Sequence, residues 1–126
     1  MFENPSIKLT IAFNDPDLDS EELEEQAQNL LAQMRDLDEI ETVDRVLDPN
    51  PPEGNSPWGA TILVGLLTAQ VNKQNAQKVM GFLGDRLGNK AIELEVEANG
   101  KKLKVKASSR EELEAAIEAA QKFAAA

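Results

Sequence analysis

Histidine, cysteine and tyrosine are all absent from this 126-residue chain. Without histidine or cysteine there is no Ser-His-Asp or Cys-His catalysis, no imidazole acid–base chemistry and no usual zinc ligand set. Without cysteine, folding cannot depend on a disulfide or on an oxidising compartment. What remains for catalysis is carboxylate chemistry, with or without a hard metal, or a lysine imine, and no motif indicates either. Basic residues are also scarce: thirteen Lys and Arg stand against twenty-three Asp and Glu. Long apolar runs are missing too. The longest, Trp58 to Ala69, falls short of the ~20 residues that span a bilayer. The N-terminal MFENPSIKLT has no basic region followed by an apolar stretch, so no secretory signal is expected. A cytoplasmic location is the resulting expectation.

What is present suits a folded domain. Hydrophobic residues make up 41% and charged residues 29%, which excludes wholesale disorder. The length fits one domain, expected over 1–126 with its core at about 5–124. The net charge of −10 is uneven, because residues 15 to 53 hold fourteen acids against Arg35 and Arg45 alone. An acidic face repels phosphate backbones and argues against nucleic acid. It suits a basic protein partner, or simply solubility.

Ile7, Leu9, Ile11 and Phe13 alternate with smaller or polar residues and predict a strand. Asp19 and Glu22 form a capping box before a helix with Leu23, Ala27, Leu30, Leu31 and Met34 on one stripe. Residues 41–47 predict a second strand. Positions 49–57, rich in proline, predict an exposed loop. Ser56 and Pro57 then favour a helix start, and Trp58 to Val71, apolar nearly all round, is expected to be a helix contacted on several sides. Asn72 should cap a further helix to about Leu87, with Gly88 and Asn89 ending it. Asn99-Gly100 predicts a two-residue type I′ hairpin. Counting outward pairs Val96 with Leu103, Leu94 with Val105 and Ile92 with Ala107 on an apolar face. Three Glu–Lys pairs, 97 with 102, 95 with 104 and 93 with 106, lie on the other. A last helix starts at Ser109, with Glu112 closing a second capping box. The expected fold is α+β: two layers, a four-stranded mixed sheet with helices on one face, in the order β-α-β-α-α-β-β-α.

Three patterns mislead. Asp15, Asp17 and Asp19 alternate like the start of an EF-hand, yet Ser20 and Gln26 stand where Gly and a bidentate Glu belong. Gly81-Phe82-Leu83-Gly84 matches the KH-domain loop in letters only, because it sits within a helical apolar stripe. The Trp58 segment lacks the basic face of a membrane-surface helix. Neither a metal or cofactor, nor nucleic acid, nor a membrane is therefore expected as a ligand.

Several segments resemble one known family. These are Pro51-Pro52-Glu53-Gly54, the apolar stretch Trp58 to Val71, the run Gly81 to Gly88, the Asn99-Gly100 hairpin, and Ser108-Ser109-Arg110-Glu111-Glu112-Leu113. Together they are similar to the effector-associated constant component family of predicted bacterial conflict systems, in a form like that of cyanobacterial proteins. The resemblance covers roughly residues 5 to 124. It implies a non-enzymatic adaptor, coupling an effector such as a caspase-like or trypsin-like peptidase to a sensor or switch protein in bacterial defence. The family offers no catalytic residues to carry over. From exposure and apolarity, partner binding is expected at Pro51, Pro52, Trp58 and Ile62. Two alternatives stand beside it: a self-associating structural or regulatory domain, and an enzyme using carboxylates and a divalent cation.

Overall fold

A computed structural model describes residues 6–48 and 62–125. Three helices pack with a five-stranded, wholly antiparallel sheet. The elements are β1 (Ser6–Phe13), α1 (Ser20–Arg35), β2 (Ile40–Leu47), β3 (Ile62–Asn72), a 3-10 turn at Lys73–Asn75, α2 (Ala76–Arg86), β4 (Ile92–Ala98), β5 (Lys101–Ala107) and α3 (Arg110–Ala125). Strand order is β2-β3-β1-β4-β5.

The expected four-stranded mixed sheet is therefore corrected, and so is the element order. The error lies in the apolar stretch after Trp58. Residues 58–61 are outside the described set, and from Ile62 onward the chain is a strand. Leu67, Ala69 and Val71 point into the core, while Leu66, Thr68 and Gln70 point the other way. A short apolar run does not by itself distinguish a buried strand from a buried helix. Here β3 lies between β1 and β2, which pair with its backbone along both edges.

The terminal signals read more reliably. Asp19 and Glu22 form the reciprocal capping box of α1, with Glu22 N–H donating to Asp19 Oδ1 at 2.8 Å. Asn72 caps the 3-10 turn that leads into α2, accepting from Gln74 N–H at 2.9 Å. Asn99 and Gly100 both take positive φ, 55° and 76°, as a type I′ turn requires. All seven hairpin pairs from Ile92–Ala107 to Ala98–Lys101 match the count outward from that turn. The ion pairs run diagonally, however: Lys102 meets Glu95 at 3.6 Å and Lys104 meets Glu93 at 3.2 Å. Lys106 alone meets its direct partner, Glu93, at 3.8 Å. At the start of α3, Ser109 Oγ accepts from Glu112 N–H. The Glu112 carboxylate reaches one residue further back than expected, accepting from both N–H and Oγ of Ser108. Those two bonds hold its pKa below the ordinary value.

Ile7, Leu9, Ile11 and Phe13 of β1, with Leu67 and Val71 of β3 and Ile92, Leu94 and Val96 of β4, meet the buried stripes of all three helices in one core. The opposite face of the sheet is layered by cross-strand register. One row reads Thr42, Gln70, Lys8, Glu97, Lys102 and the next Asp44, Thr68, Thr10, Glu95, Lys104. Among the described residues no helix covers this face, in keeping with the Glu–Lys alternation in the hairpin.

Candidate functional surface

The end of the β2–β3 pair is irregular, and the cause is local. Between the pairs Arg45–Leu67 and Leu47–Ile62, two steps along β2 oppose five along β3. The surplus forms a bulge at Gly65, whose φ of +74° is a left-handed conformation open to glycine. A bulge frees backbone groups from the ladder, and buried backbone groups must find partners. Arg45 supplies them on one side: its Nε donates to Leu66 O at 2.9 Å and its guanidinium to Leu63 O at 3.3 Å. Glu24 of α1 supplies the other, with Oε1 accepting from Gly65 N–H at 3.2 Å. Glu24 and Arg45 also bind each other in a two-armed ion pair, one arm at 2.6 Å. Their side chains are only 26% and 12% exposed.

This network sets the charge state of Glu24. Hydrogen bonding from Arg45 is the main cause that brings its pKa from 4.5 down to about 2. Burial opposes the shift, while the Gly65 N–H and the Gln28 carboxamide reinforce it. The pair is a staple for the bulge.

Just beyond the staple lie Leu47, Ile62 and Val64, which are 54%, 43% and 46% exposed. They are the exposed large hydrophobic residues among the described part of the chain. Leu47 and Ile62 are direct cross-strand partners, so their side chains share one side of the sheet. Asp48 follows Leu47 in sequence, while Asp44 lies on the opposite face, across from Thr68. Such a patch can take up an apolar side chain. It has no nucleophile or acid–base pair, and among the described residues no group of three or more Asp or Glu could hold a metal ion.

Of the four residues expected to bind a partner, Ile62 is exposed and lies on a strand rather than a helix. Pro51, Pro52 and Trp58 lie outside the described residues. Leu47 and Val64 escaped the sequence reading. Leu47 ends the strand expected over 41–47, and the irregular pairing at that end leaves it more than half exposed. Arg45, two residues from Val43 in a strand and so on the same side, is a sign, since a charge on an inward-facing position needs a partner. No helix among the described residues is long and apolar enough to cross a membrane. No family model, no curated protein and no solved structure matches the chain.

Proposed function

We propose that this chain is a non-catalytic adaptor that binds another protein through the end of the β2–β3 pair. The observation that supports it is the exposure of Leu47, Ile62 and Val64 together at one end of the β2–β3 pair. Exposed apolar residues scattered singly carry no message, whereas neighbours rimmed by charge are typical of interaction sites. A partner with an aliphatic or aromatic anchor flanked by Lys or Arg has the matching chemistry. On sequence grounds alone, Pro51, Pro52 and Trp58 belong to the same surface. The family resemblance supports the same role, with an effector such as a caspase-like or trypsin-like peptidase, or a switch protein, as partner. A second reading, self-association, is favoured by the position of Leu47 on an edge strand, where unpaired backbone can template a further strand.

Sizing of the purified protein across a concentration series separates the two readings. An adaptor stays monomeric alone and shifts only when host proteins are added. A self-associating domain grows with its own concentration, and that growth disappears in Leu47→Ser.

A further inference from the structure

Strand β5 closes one end of the sheet: β4 pairs with it on one side, and among the described residues no strand follows on the other. The two-residue turn sets which of its backbone groups are left over. Ala98 and Lys101 flank that turn as a hydrogen-bonded pair, so hydrogen-bonded pairs recur at Val96–Leu103 and Leu94–Val105. Lys102, Lys104 and Lys106 hold the alternate positions, and their backbone N–H and C=O groups point outward along the free edge.

The side chains at this edge are sorted by face. On the open face Lys102, Lys104 and Lys106 are exposed, while the carboxylates they meet, Glu95 and Glu93, are tucked inward. The outermost charge is therefore positive, in a chain whose net charge is −10. Three lysines share two carboxylates, and each ammonium has three donors, so they can take further acceptors without giving up Glu93 or Glu95. On the other face Val105 is half-buried beside an open groove of about 430 Å³ against α3, lined by Ala115, Ala116 and Ala119.

We propose that the β5 edge takes up an extended acidic segment of another protein as a further strand of the sheet. An added strand inherits the side-chain period of two. Its residues on the open face meet the lysines and are Asp or Glu, and those on the other face enter the alanine groove and are aliphatic. Backbone bonds to Lys102, Lys104 and Lys106 supply affinity, while the charges and the groove supply selectivity. The same lysines reject the β5 edge of a second copy, because like charges would then stand opposite one another. β5 and β2 lie at opposite ends of the strand order, so this site is separate from the surface at Leu47.

The test is a ¹H–¹⁵N NMR titration of the whole chain, at low salt, with short synthetic peptides. One alternates Glu and Val, one has the same residues with all Glu ahead of all Val, and one alternates Lys and Val. The alternating Glu–Val peptide should give saturable shifts in the amides of Lys102, Lys104 and Lys106 and of Ala115 and Ala119, and should slow hydrogen exchange of the three lysine amides. The grouped peptide should bind more weakly and the Lys–Val peptide not at all. Lys104→Gln with Lys106→Gln should weaken binding by about threefold to tenfold, whereas Leu47→Ser should leave it unchanged. Lys104→Pro also removes an outward N–H, a change that an edge position tolerates, and should weaken binding more than Lys104→Gln. The glutamine variants alter exposed side chains only, which keeps the test sound if the proline variant misfolds. Four results would each overturn the proposal: no saturable shift with the alternating Glu–Val peptide, equal binding of the grouped peptide, shifts centred on Leu47, Ile62 and Val64 instead, or β5 shifts on concentrating the protein alone, the mark of a second copy on this edge.

Discussion

Glu24 on α1 and Arg45 on β2, twenty-one positions apart, close a two-armed ion pair around the Gly65 bulge of β3. The pair joins three elements, and its main cost of burial is repaid by backbone groups that would otherwise be orphaned. The carboxyl of Glu24 titrates at about 2 in the folded chain, against 4.5 ordinarily. A depressed carboxylate pKa contributes stability above the unfolded value and loses it as pH falls through the folded one. The window is therefore pH 4.5 down to about 2. The displacement corresponds to at most about 3 kcal/mol, and solvent screening of a partly exposed group brings it to about 1–2 kcal/mol. Urea unfolding of wild type and Glu24→Gln at pH 7 and pH 2.5 checks this. The gap between the two proteins should shrink markedly at the lower pH, and a constant gap would refute the role of the ion pair.

Two glycines should respond to alanine with opposite signs. At Gly65 an added Cβ would lie 3.1 Å from Phe13 O and 3.4 Å from Leu23 Cβ, on backbone already at positive φ. Gly65→Ala should destabilise by about 1–3 kcal/mol. At Gly81 an added Cβ meets nothing within 4 Å, within a regular helix. Gly81→Ala should stabilise by about 0.5–1 kcal/mol. Thermal melts of the two variants are sufficient to decide.

Leu94 is fully buried on β4, opposite Val105 and beside Ile11 of β1. Leu94→Ala should cost about 2–5 kcal/mol. Leu94→Asp leaves an unpaired charge in the core and should prevent stable folding. Circular dichroism after purification reads both, and an unchanged melt of the Asp variant would show that this face is not core.

The parts of the fold legible in the sequence are those set by local chemistry. The hairpin register follows from Asn99-Gly100 and a side-chain period of two, both properties of adjacent residues. The helix starts follow from Asp19 with Glu22 and from Ser109 with Glu112. β3 was not legible, because its identity depends on neighbours far away in sequence: β1 on one side and β2 on the other. Its apolar residues satisfy a helical reading until those neighbours are known. The bulge was equally hidden. Gly65 lies inside the stretch that reads as a helix, whereas it takes a left-handed φ in a strand. The candidate surface was half legible for the same reason. Ile62 was named from exposure and apolarity, while Val64 joins it only because β3 is a strand and Leu47 only through the irregular pairing of β2 with β3.

The central claim is that Leu47, Ile62 and Val64 form a partner-binding surface and not part of the folding core. The most direct measurement compares wild type with the triple variant Leu47→Ser, Ile62→Ser, Val64→Ser in quantitative affinity capture from the native host, alongside a thermal melt of each. Half-exposed residues contribute little to the core, so each substitution should change stability by no more than about 0.5–1 kcal/mol. The account predicts a triple variant that melts cooperatively near the wild-type temperature and loses specific proteins that the wild type retains. Identical capture by the two folded proteins, or a triple variant that no longer folds, would contradict it.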